Sequence, residues 1–113
     1  MKNKNRLKKR KQFNWLFKNG TSIHSKNIVL VYHESKGKDF KIGFSVTKKV
    51  GKAVVRNKTK RRLREVITKL QYNILGKNTI IFVAKPSITE ITFWDMMAEV
   101  EMLLKKAKLY KEV

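Results

Sequence analysis

Between Arg56 and Arg64, in the run RNKTKRRLR, six of nine residues are basic. Side chains at this density suit the holding of phosphate. Arginine offers a planar fork that grips two phosphate oxygens at once, and lysine a mobile point charge. Asn57, set between Arg56 and Lys58, can donate to and accept from a base or a ribose. The residues that follow, VITKLQYNI, carry apolar side chains at helical spacing. The run therefore opens a helix, and the free N–H groups and dipole at a helix N-terminus favour the same anion. At 100° per residue, Lys58, Arg61, Arg62 and Lys69 lie opposite the stripe of Leu63, Ile67 and Leu70, with Arg64 at the flank. A solvated helix face usually mixes charge signs in i, i+4 pairs. Here Glu65 is the single acid between Lys41 and Leu75, so the pattern asks for a polyanionic partner.

Other residues extend that chemistry. Lys48, Lys49 and Lys52 lie between an apolar strand and the basic helix and prolong one positive rim. Phe13 and Phe17 stand four apart and share a helical face, whereas Trp15 points elsewhere. Two fates fit the Phe pair: it packs into the core, or it edges a groove and takes unstacked bases, as aromatics beside a basic surface do for single-stranded RNA. In FKIGFSVT, Phe40, Ile42, Phe44 and Val46 point one way as a core face. Lys41, Gly43, Ser45 and Thr47 point the other way, a flat floor that would admit a nucleic-acid strand. Self-sufficient catalysis has no comparable signal. There is no cysteine, His24 and His33 are isolated, no glycine-rich phosphate loop occurs, and the carboxylates form no acid/base pair. Asp39, Asp95 and Glu99 fit turn and helix-surface positions.

The whole chain has 113 residues, enough for a single domain, and a net charge of +20. The charge is segregated: residues 1–85 hold all but four of the 28 basic side chains, and residues 86–113 hold five of the eight acids. That asymmetry favours a nucleic-acid partner over an anionic membrane surface. No apolar run is long enough to span a bilayer, and the basic start MKNKNRLKKRKQF lacks the apolar core of a secretion signal. The cytoplasm is the expected compartment.

Positioning these residues requires few elements. Residues 1–10 read as a flexible basic arm that meets the fold near Leu7. A short helix spans about Lys11 to Asn19, with Gly20 suited to a left-handed position after it. Strands are expected over Ile28–His33 and Phe40–Thr47, joined as a hairpin by SKGKD. A helix follows over Val55–Leu75, then a buried strand over Thr79–Ala84 ended by Pro86. A last helix, capped by Thr89 or Thr92, carries Phe93, Met96, Met97, Val100, Leu103, Leu104 and Ala107 on its apolar side. The order α-β-β-α-β-α predicts a single RNA-binding domain over 1–113: an α+β sandwich with a small, mostly antiparallel sheet.

The segment FSVTKKVGKAVVRNKTKRRLRE closely resembles the signature of the bacterial ribonuclease P protein subunit. RLKK…F…LFKNGTS, IIFVAKP and the closing helix also fit, so the resemblance covers nearly the whole chain. It implies a cofactor of a ribozyme that removes the 5′ leader from precursor tRNA, with the catalytic centre and its Mg²⁺ on the RNA subunit. The implied partners are that catalytic RNA and precursor tRNA; no protein partner is implied. By similarity, Arg56, Asn57, Lys58, Lys60, Arg61, Arg62 and Arg64 meet the catalytic RNA. Phe13, Phe17, Val31, Ser45, Lys48, Lys49 and Lys52 belong to a cleft for the single-stranded leader. Lys58 stands where the family commonly has arginine, and Val31 where an aromatic is common. The family fold also implies a left-handed strand–helix–strand crossover, against the usual hand. A ribosomal-protein-like structural RNA binder is the alternative, and a self-sufficient nuclease is a further rival.

Overall fold

The computed structural model describes residues 3–111. In chain order these form α1 (Arg10–Asn19), β1 (Thr21–His24), β2 (Ile28–Glu34), β3 (Lys41–Ser45), α2 (Ala53–Leu70), β4 (Asn78–Ala84) and α3 (Phe93–Lys106), with short 3₁₀ turns at Asn3–Asn5, Gln71–Asn73 and Pro86–Glu90. The four strands make one sheet in the order β1-β2-β4-β3. β1 and β4 both run antiparallel to β2, and β3 runs parallel to β4. This is the expected α+β sandwich with a mostly antiparallel sheet, and the crossover unit is β3–α2–β4.

Two expectations about the strands fail. β2 and β3 are not hairpin partners, because β4 inserts between them. The reason is burial. Ile80, Ile81 and Phe82 are all completely buried, although neighbours along a strand face opposite sides of the sheet. A strand covered on both faces belongs in the middle, and β3, with Lys41 exposed, takes the edge. The sequence reading also lacks β1, a four-residue edge strand with no fully buried residue.

Most of the core lies on one face of the sheet. Ile28, Leu30, Ile42, Ile80 and Phe82 pack there against Leu63, Val66, Ile67 and Leu70 of α2 and Met96, Val100, Leu103 and Leu104 of α3. The apolar stripes read from the sequence are thus the packed faces, at about 1.5–3 kcal/mol per fully buried large side chain. α2 starts two residues before the expected Val55 and ends at Leu70 rather than Leu75, tightening into the 3₁₀ turn. Thr92 caps α3, its hydroxyl accepting from the Asp95 N–H at 3.1 Å. No helix among the described residues is long and apolar enough to cross a membrane.

α1 crosses the other face over a smaller core of Leu7, Leu16, Val31 and Ile81. Gly20 is extended (φ −79°, ψ 167°), not left-handed. Its lack of a side chain serves close approach instead: a Cβ there would sit 2.7 Å from the Leu16 carbonyl oxygen and 3.0 Å from that of Tyr32. Within the stretch expected as a flexible arm, Asn5 to Leu7 run along β3. The Leu7 N–H donates to the Ile42 carbonyl (2.9 Å), and the buried Asn5 amide donates to that of Phe40 (2.7 Å).

Candidate nucleic-acid interface

α2 is preceded at its N-cap by Lys52, which has extended backbone and makes no side-chain capping hydrogen bond. The N–H groups of Ala53, Val54 and Val55 have no intrahelical acceptor, whereas the Arg56 N–H already donates to the Lys52 carbonyl at 2.9 Å. Arg56, Asn57 and Lys58 therefore begin the second turn, and the free donors expected among them lie one turn earlier. The uncapped end, with no acid in its first turn, leaves the helix dipole open to an external anion.

The cations of α2 do not form one sheet of charge. Lys60 and Arg64, one turn apart, line a cavity of about 270 Å³ together with Arg6, Lys8, Phe13 and Gly43, between α2 and the β3 edge. Lys58 and Arg62 line another, of about 340 Å³, with Val54, Val55, Ile88 and Met96. Asn57 and Arg61 are exposed, and Arg56 is half-buried with its Nε enclosed and unpartnered, a donor that an anion could satisfy. Among the described residues the ion pairs are Lys4–Asp39 and Lys105–Glu101. Neither touches α2, whose seven basic side chains are set against one acid of their own helix, Glu65, and so repel one another.

The sheet face under α1 is read in cross-strand rows. Ser22, Val31, Ile81 and Gly43 align in one row, and His24, Val29, Val83 and Ser45 in the next. α1 covers the first. Phe13 lies directly over Gly43, where an added Cβ would be 2.4 Å from the ring, and Val31 is only 3% exposed. The second row stays partly open: Val29, Val83 and Ser45 are half-buried. Phe17 is 46% exposed, and Lys48, Lys49 and Lys52 stand exposed beyond the end of β3. The arrangement is a shallow apolar floor with a free aromatic ring and a cationic rim, which suits an extended chain of unstacked bases.

The family model described as Ribonuclease P matches residues 1–108. The chain belongs to the ribonuclease P protein family. Curated members similar to it include the ribonuclease P protein components of Caldanaerobacter subterraneus subsp. tengcongensis, 37% identical over 95% of this chain and 92% of that one, and of Bacillus velezensis, 36% identical over 99% and 97%. Among solved structures, a Staphylococcus aureus RNase P protein mutant superposes with a TM-score of 0.88 at 33% identity, covering 95% of this chain and 91% of the other. The Thermotoga maritima RNase P protein gives 0.83 at 28% identity, covering 89% and 96%.

Within this ribonuclease P fold the residues expected at two separate surfaces are partly brought together. Lys60 and Arg64, assigned by resemblance to the catalytic RNA, share a cavity with Phe13, assigned to the leader. The two fates open to the aromatic pair are divided between its members, Phe13 packed and Phe17 free. Val31 is not an open position of the cleft, since α1 seals it; Val29 and Val83, not singled out from the sequence, are the half-open ones. Continuous apolar runs hid them, because such runs do not reveal which residue a crossing helix covers. Glu99 is no plain surface residue: it accepts from the Asn27 N–H (2.9 Å), the Asn27 side-chain amide (2.8 Å) and the Ser25 hydroxyl, fastening the β1–β2 turn to α3. For Mg²⁺, no three His, Cys, Asp or Glu side chains gather among the described residues in a way that could hold the ion.

Proposed function

We propose that the chain works as the protein subunit of ribonuclease P and divides its RNA contacts between two adjoining surfaces. The catalytic RNA lies along the outer face and N-terminus of α2, held by Arg56, Asn57, Lys58, Arg61 and Arg62. The single-stranded 5′ leader of precursor tRNA lies in the groove beside α1, over Val29, Val83 and Ser45. Phe17 stacks on a base there, and Lys48, Lys49 and Lys52 meet phosphates. Lys60 and Arg64, near Arg6 and Lys8, stand where the two RNAs converge. The observation that carries this reading is the contiguity of a cationic helix with a half-open apolar row on one small sheet.

The mechanism is electrostatic and positional. Bond cleavage, the single cut that frees the mature 5′ end, belongs to the catalytic RNA with its Mg²⁺. The chain's cations screen phosphate repulsion between two polyanions, and its groove restricts the leader to one extended path. Both effects act on binding and orientation. Affinities of precursor and mature tRNA for the catalytic RNA, measured with and without the chain, test the assignment. The chain should strengthen precursor binding well beyond mature binding. Equal strengthening of both would remove the leader groove from the reading. Cytoplasmic residence belongs to the same proposal, and fractionation of cells producing the tagged chain checks it.

A further inference from the structure

α1 divides its face of the sheet in two, and the groove assigned to the leader uses one flank. On the other flank lies a cavity of about 510 Å³, a size typical of small-ligand sites. Leu7 and Leu16 form its apolar base, Trp15 and His33 two of its walls, and Lys11 and Lys36 bring positive charge; Glu34 is the single acid in its lining. The two aromatic rings meet edge to face, with centroids 4.9 Å apart and planes at 83°. His33 Nδ1 lies 2.7 Å from the Glu34 carbonyl oxygen, which fixes the imidazole from its own strand. Trp15 remains 52% exposed, so much of its surface is unused by the fold.

An apolar slot with perpendicular aromatic walls and two flanking ammonium groups matches a planar ring that carries an anion. A nucleotide has that chemistry, the base against indole and the phosphate near lysine. We propose that this cavity takes one unstacked base of single-stranded RNA from the distal, 5′ part of the leader. The leader would reach it after crossing the polar outer side of α1, where Asn14 and Lys18 are exposed. α1 would then be gripped by RNA on both flanks. The inference rests on the leader-groove reading, because the same helix wall, with Leu16 beneath it, joins the two sites.

Trp15 and Trp94 are the two tryptophans of the chain, so Trp94→Phe leaves Trp15 as the sole indole reporter. The holoenzyme assembled with that variant is titrated with precursor tRNAs whose leaders lengthen one nucleotide at a time. Affinity should rise in two steps, the second coinciding with quenching of Trp15 emission. Trp15→Leu in an otherwise native chain keeps an apolar side chain in place; it should remove the second step, worth roughly tenfold in affinity, and leave the first. Phe17→Ala should remove the first, so failure of the groove and failure of the cavity give different curves. Lys36→Gln, at an exposed position, should shrink the second step without disturbing folding. No quenching at any leader length, quenching by the catalytic RNA alone, or an unchanged second step in Trp15→Leu would each overturn the proposal.

Discussion

Phe13 and Phe17 occupy the same face of the same helix and have opposite uses. Phe13 is half-buried and covers Gly43, so Phe13→Ala should cost about 2 kcal/mol of stability, below the usual toll for a fully enclosed Phe. Phe17, 46% exposed, should leave stability almost unchanged when replaced by alanine and weaken leader binding by about 1–3 kcal/mol through lost stacking. Thermal melts paired with precursor affinities separate the two. If Phe17→Ala lowers the melting temperature as Phe13→Ala does and spares affinity, Phe17 is a packing residue. Gly20→Ala is a further residue-scale test. The new methyl would press on two backbone carbonyls, of Leu16 and Tyr32, neither of which can rotate away as a side chain could. We expect a loss of about 1–3 kcal/mol, visible as a lower urea midpoint. Of the candidate site, what was legible is surface placement that follows from residue type alone, as with Lys58, Arg61 and the lysine rim, all exposed. It was illegible where a crossing helix decides exposure: Val31, given to the leader cleft by resemblance, is sealed beneath α1, and Val29 and Val83 are the half-open positions.

At the scale of elements, the sequence carried the helices well because their apolar stripes repeat over several turns. It carried strand pairing poorly. The alternation of FKIGFSVT and the unbroken apolar run of β4 held the correct answer: one-sided burial suits an edge and two-sided burial a centre. A short turn between β2 and β3 suggested a hairpin instead. β1 has four residues, and no pattern of that length separates it from a loop. The clamp from Glu99 to Ser25 and Asn27 was equally hidden, because it joins positions more than 70 residues apart. Its consequence is testable. This turn closes the β1–β2 hairpin, whose His24 and Val29 belong to the half-open row. Removing a carboxylate that receives three hydrogen bonds in Glu99→Ala should cost about 2–3 kcal/mol and raise amide exchange across residues 22–29 more than in α2. Uniform protection loss would mean that the clamp supports the whole fold rather than the hairpin.

On the scale of the whole molecule, electrostatics is governed by a charge of +20 on 113 residues. Charge of one sign at that density opposes compaction, and the structure offers little internal relief, with two ion pairs among the described residues, both on exposed side chains. The compensating charge has to come from outside, which couples folding to anion binding. Sulfate should therefore raise the melting temperature far more than chloride at equal ionic strength, since screening alone cannot tell the two anions apart, whereas sites built for phosphate can. The same coupling sets the salt response of the assembled enzyme. If the chain neutralises about eight phosphates of the catalytic RNA, its affinity for that RNA should fall with a log–log slope of roughly −6 at the single-strand coefficient. Replacing Lys58, Arg61 and Arg62 together by glutamine should flatten that slope by roughly 2 and leave the fold intact, because these side chains make no internal ion pair among the described residues. A slope unchanged by the triple replacement would place the phosphate contacts elsewhere on the molecule, and the outer face of α2 would lose its role.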